Sequence, residues 1–143
     1  MNLFLDTDIC VFAIRGKYPE IRERITASPP ERIKIPSIVK AELLTGASRS
    51  HQPTKAHSVV EYFLSPFEIV PFDDASSVIY SQIRHDLEKK GHPIGPNDLL
   101  VAATTLAHRG TLVTHNTKEF SRIPDLKLLD WIHNPESMRS NSD

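Results

Sequence analysis

Five short, largely apolar runs alternate along this chain with stretches whose apolar residues recur at helical spacing. The runs are Asn2 to Asp6, Arg32 to Pro36, Glu68 to Pro71, Thr111 to Thr114 and Lys127 to Leu129. Each is the kind of segment that parallel strands buried on both faces provide. Between them, Ala75, Val78, Ile79, Ile83 and Leu87 mark one helix, with Gly91 as its stop signal. Leu99, Ala102, Ala103, Leu106 and Ala107 mark another, which ends at Gly110. Ile38, Ala41 and Leu44 mark a third, opening on Ser37 as the N-cap residue after Pro36, and Thr7 or Asp8 can cap the segment from Ile9 to Arg15. Strand–helix alternation of this kind predicts an α/β domain: a single, mostly parallel central sheet flanked by helices.

The chain of 143 residues fits one such domain. The folded unit is expected over residues 1–133, with 134–143 a disordered tail because it has almost no apolar content. Ser28 to Glu31 reads as a turn and the polar stretch Ser48 to Thr54 as a loop. A hydrophobic content of 39% and a charged content of 24% fit a soluble globular protein. The formal net charge of −1 argues against nucleic-acid binding through bulk positive charge, though a local basic rim would suffice. The first residues are too acidic for a secretory signal, and no apolar run approaches the ~20 residues of a membrane span. Cys10 is the single cysteine and cannot form an internal disulfide, so a cytoplasmic location is expected. Lying between Ile9 and Val11, it is expected to be a buried structural thiol.

Acidic residues stand where strands end or helices begin. Asp6 closes the first apolar run and Asp8 follows it; Glu42 lies in the helix after Pro36; Asp98 follows Gly95-Pro96-Asn97; Glu119 comes just beyond Thr114. Singly, each has a plain explanation: a helix cap, an exposed edge, a carboxylate favoured by a helix dipole, a loop charge. Jointly they point elsewhere. In an open α/β sheet, the carboxyl ends of the strands meet at a ligand-binding crevice. Carboxylates gathered there repel one another unless protonated or bound to a cation, and hard divalent cations prefer oxygen ligands. A Mg²⁺ or Mn²⁺ site for phosphoryl chemistry is therefore expected. The histidines are scattered without zinc-ligand spacing, and His85, His92, His108 and His115 are expected at surface or loop positions.

The segments Leu3-Phe4-Leu5-Asp6-Thr7-Asp8-Ile9-Cys10, Ile38-Val39-Lys40-Ala41-Glu42-Leu43, Pro96 to Ala103 and Leu112 to Phe120 carry a resemblance. In order and spacing they resemble the PIN-domain ribonucleases, and within them the VapC-type toxins of toxin–antitoxin pairs. Ile123 to Trp131 is similar to the end of such toxins. The resemblance implies that Asp6, Glu42 and Asp98 are the core metal-site acids, with Thr7 beside them positioning a water. Many PIN domains have an aspartate where this chain has Asn116. Asn116 offers a neutral oxygen, and Glu119 is expected to supply the missing charge. Asp8 stands where asparagine or serine is common, and either adds charge or only caps the helix.

The resemblance further implies an endoribonuclease that hydrolyses RNA by metal-activated water, a homodimer, and a small antitoxin protein as partner. Lys40, Lys118 and Arg15 are the candidates for contacting RNA phosphates. Asp6-Thr7-Asp8 after an apolar strand is also similar to haloacid-dehalogenase-type phosphatases, but Cys10 stands where that family has Thr or Val. A non-catalytic PIN-like module that only binds RNA or protein is the other alternative. Occupied acidic positions argue against it, because clustered carboxylates without a cation cost stability.

Overall fold

A computed structural model of the chain describes residues 1–132, so the tail expected at 134–143 lies outside the described residues. The strands are β1 (Leu3–Leu5), β2 (Ile33–Pro36), β3 (Glu68–Val70), β4 (Thr111–Val113) and β5 (Lys127–Leu129). All pair in parallel, in the order β3-β2-β1-β4-β5. Among the described residues, seven α-helices connect and flank them: α1 (Thr7–Arg15), α2 (Pro19–Ala27), α3 (Ser37–Ser48), α4 (Pro53–Leu64), α5 (Asp74–Lys89), α6 (Pro96–Ala107) and α7 (Thr117–Phe120). No helix among the described residues is long and apolar enough to cross a membrane.

The order is what positions the site. β1 is central; the chain builds outward through β2 and β3, then returns to the other side of β1 with β4 and β5. The crevice of an open sheet opens at this change of direction, beyond the carboxyl ends of β1 and β4. The Asp6 amide donates to the Val113 carbonyl at 3.2 Å, so the two strand ends leave the sheet side by side. Leu5, Ile33, Ile35, Leu112 and Val113 are fully buried, and helices cover both faces. Cys10 is buried on α1, as expected, and burial pushes its thiol well above the ordinary range.

Local chemistry departs from the sequence expectations at three places. Asp6, not Thr7 or Asp8, caps α1: its backbone is extended and its Oδ1 accepts from the Ile9 amide at 3.0 Å. An aspartate one position before the helix reaches the third amide, which Thr7, already helical, cannot. Ser37 is the first residue of α3 rather than its cap, because Pro36 takes the flanking position. The loop expected at Ser48 to Thr54 is present but shorter, 49–52: α3 runs through Ser48 and α4 begins at Pro53, where a missing amide hydrogen costs nothing. His108 lies in the turn after α6, a loop position as expected, with its ring half-buried and stacked on Phe4, centroids 6.2 Å apart. Gly110 matters for packing. A Cβ there would collide with the Phe4 ring, so only glycine lets β4 start this close to β1.

Candidate active site

Beyond the ends of β1 and β4 lies a cleft of about 110 Å³, lined by Asp6, Thr7, Asp8, Glu42, Asp98 and Asn116 with Phe120. Asp6 is fixed directly after β1 by its capping bond. Thr7 and Asp8 come from the first turn of α1, Glu42 from the second turn of α3, Asp98 from the first turn of α6, and Asn116 from the loop after β4. Of the acids expected from sequence, Asp6, Asp8, Glu42 and Asp98 thus reach one place.

Thr7 Oγ1 donates to Glu42 Oε1 at 2.7 Å, which ties α1 to α3 at the mouth of the site. Glu119 does not line the cleft. It stands behind Asn116, whose Nδ2 donates to Glu119 Oε2 at 2.9 Å, while the Gly95 amide approaches Oε1 at 3.5 Å. Thr114 was not singled out from sequence, although it ends the apolar run before the site. Its buried hydroxyl hydrogen-bonds Asp6 and also accepts from the Asn116 amide at 3.0 Å.

The electrostatics record the crowding. Burial pushes the Asp6 carboxyl up to about 6, opposed by the hydrogen bonds from Thr114 and Ile9 and reinforced by Asp8 and Asp98. Asp98 is also raised to about 6, first by burial and then by the charges of Glu119, Glu42 and Asp8. Among the described residues, no three His, Cys, Asp or Glu side chains converge tightly enough to hold one ion as they stand. Repulsion explains this spread: Glu42 is turned to Thr7 and Glu119 to Asn116, each relieved by a neutral donor. The donor set nevertheless fits a hard divalent cation, since it is all oxygen and burial, with neighbouring negative charge behind it, already disfavours the ionised form of two carboxyls.

Of the basic candidates, Arg15 lines a neighbouring groove that shares Glu42, whereas Lys40 and Lys118 line neither that groove nor the acidic cleft.

The pattern for the PIN domain matches residues 3–126. This chain belongs to the PIN-domain family. Within that family it falls among the VapC proteins. Ribonuclease VapC2 of Rickettsia felis is 43% identical over 133 residues, covering 92% of this chain and 98% of the relative. The tRNA(fMet)-specific endonuclease VapC of Salmonella typhimurium is 37% identical over 131 residues, with the same coverage. Among solved structures, the VapBC2 complex of Rickettsia felis bound to a DNA fragment from its promoter aligns with a TM-score of 0.86 at 40% identity. That alignment covers 92% of this chain and 99% of the other. The phosphatase likeness, by contrast, rests on Asp6-Thr7-Asp8 alone. The PIN fold expected from the sequence is the fold observed.

Proposed function

We propose that this PIN domain is the toxin of a toxin–antitoxin pair, an endoribonuclease that hydrolyses RNA phosphodiesters with Mg²⁺ or Mn²⁺ in the acidic cleft. The observation that carries the reading is the convergence of Asp6, Glu42 and Asp98 on one cleft with two carboxyls raised to about 6, in a chain whose relatives are named ribonucleases. Asp6, Glu42 and Asp98 would hold the cation, with Asp8 and Glu119 adding negative charge and Asn116 a neutral oxygen. When bound, such a cation supplies Lewis acidity, which acidifies water and offsets charge on the phosphate.

The chain's own groups do the rest. Asp6 is held rigid by its cap bond and by Thr114, so its orientation needs no reorganisation when substrate arrives. Thr7 fixes Glu42 and frees it only by giving up a charge-assisted hydrogen bond. Asn116 commits its Nδ2 to Glu119, which leaves Oδ1 as its free acceptor. Ionised Asp6 and Asp98 are the forms that hold a cation, so cleavage should rise with pH through about 6.

The natural substrate is a structured RNA such as a transfer RNA, in line with the name of the Salmonella relative. The cytoplasm is where such a substrate is met. A small antitoxin is the expected partner, since the aligned solved structures are VapBC complexes. An apolar groove of about 500 Å³ bordered by α1, α3 and α4, with Val59 exposed at its edge, suits a protein ligand. Self-association as a homodimer completes the reading. The test is direct: purified protein should cleave RNA with Mg²⁺ or Mn²⁺, stop on chelation and resume when the cation is restored. Expression alone should arrest growth, and co-expression of the antitoxin should relieve it. Cleavage indifferent to chelation refutes the metal reading.

A further inference from the structure

The acidic cleft, at about 110 Å³, has room for a phosphate group but not for the nucleotide attached to it. The flanking unit must seat next door, and Glu42 forms a wall of two neighbouring clefts. One is the apolar groove bounded by Val11, Leu43, Ala47 and Val60. The other has about 360 Å³ and is lined by Ile38, Glu42, Thr45, Gly46, Arg49 and Asn97. That volume lies within the range of small-ligand sites, roughly 300–1,000 Å³. Resting on the ribonuclease reading above, we propose that this second cleft binds the nucleotide flanking the scissile phosphate, with Arg49 contacting its far phosphate and Asn97 its base or sugar.

Four observations support the assignment. Glu42 and Thr45 on α3 and Arg49 at its C-cap, still in the helical backbone region, recur at intervals of three and four, so they form one polar stripe running away from the acids. Arg49 is exposed, and no hydrogen bond or ion pair among the described residues engages its guanidinium. It is therefore free to fork onto a phosphate. The opposite wall is Asn97, the residue before Asp98 on the first turn of α6, which makes the cleft continuous with the acids.

Gly46 is the fourth observation. Glycine inside a helix costs stability, and here neither packing nor backbone geometry requires it: an added Cβ would meet nothing within 4 Å. What the absent side chain does is keep the cleft floor open. The groove on the other side of Glu42 is mostly apolar, with Arg15 and Lys55 only at its border, and suits a protein, which leaves the Arg49 side as the exit for RNA.

The experiment measures binding and cleavage separately. A fluorescent single-stranded RNA oligonucleotide of mixed sequence is titrated in chelator over a salt series with wild type, Arg49→Gln, Arg49→Lys and the exposed-charge control Arg84→Gln. Arg49→Gln should bind about tenfold or more weakly, the effect of losing one charge-assisted hydrogen bond. The magnitude of its log K against log salt slope should fall by about 0.7, as for one lost phosphate contact on a single strand. Arg49→Lys should recover the slope, and Arg84→Gln should match wild type. In cleavage with Mg²⁺, KM for Arg49→Gln should rise while kcat stays within about threefold, the signature of uniform binding lost. Unchanged affinity and slope in Arg49→Gln, or an equal loss in Arg84→Gln, overturns the assignment. A wild type that binds RNA through Arg49 yet never cleaves it would refute the nuclease reading and leave the cleft standing.

Discussion

Replacing Asp98 with asparagine should stabilise the cation-free protein at neutral and alkaline pH. Asp98 is half-buried and its carboxyl is raised from 3.8 to about 6 by burial and by Glu119, Glu42 and Asp8. That shift of about two units is worth ~3 kcal/mol for a fully buried group at ~1.4 kcal/mol per unit. Solvent reaches about half of this carboxyl, so screening leaves about 1.5 kcal/mol. A carboxyl with a folded pKa above its unfolded value opposes folding when ionised. The cost is fully present above about pH 6 and is lost as pH falls through 6 towards 3.8, where the folded state takes up the proton first. Asp98→Asn escapes this cost. Asp98 has no hydrogen bond within the described residues to lose, so its melting temperature in chelator should exceed that of wild type by roughly 5 °C near pH 8. The difference should close as pH falls to about 4. Thermal melts of both proteins across that range measure it, and Mg²⁺ should then raise wild type more than the variant because binding to the folded state stabilises it. A variant that melts lower than wild type near pH 8, or a gap independent of pH, would refute the reasoning; equal stabilisation of both by Mg²⁺ would remove Asp98 from the cation site.

Glu119→Gln should weaken Mn²⁺ affinity and cleavage more than Asn116→Ala, and the double variant should be no worse than Glu119→Gln, because the two side chains form one hydrogen-bonded unit; additive losses in a Mn²⁺ titration would contradict this. Thr7→Val removes the hydroxyl that holds Glu42 and should lower kcat about tenfold, consistent with the ~1.5–3 kcal/mol of a hydrogen bond to a charged group, while a circular dichroism spectrum stays native. Gly110→Ala should cost about 2 kcal/mol by forcing Phe4 out of place, read as a lowered urea midpoint without change in slope.

The sheet was legible because its strands are short apolar runs with little else in them, and the structure moves their ends by no more than a residue. Helix α4 was hidden: its exposed Val59 and Tyr62 interrupt the stripe of Ala56, Val60, Phe63 and Leu64, and the polar residues ahead of Pro53 read as loop. In the candidate site, the acids themselves could be read, since strand ends and helix starts fix where they stand. Their partners could not. Thr7 and Glu42 lie 35 residues apart, and their bond exists only because α1 and α3 cross at the cleft. Whether Asn116 or Glu119 faces the cleft depends on how the chain turns after β4, which the α7 turn decides by placing Glu119 behind the asparagine. Arg49 left one trace in the sequence, its two-turn spacing from Glu42, and that trace gains meaning only with Asn97 opposite.

The cleft acids as the seat of RNA hydrolysis are tested most directly by one measurement, the rate at which wild type and Asp6→Asn cleave total RNA with Mg²⁺. Asparagine keeps the oxygen that caps α1, so the fold survives while the charge at the cleft is lost. The expected result is cleavage by wild type and a fall of about a hundredfold or more in the variant. Cleavage by Asp6→Asn at the wild-type rate, in protein that melts as a folded domain, would contradict the account.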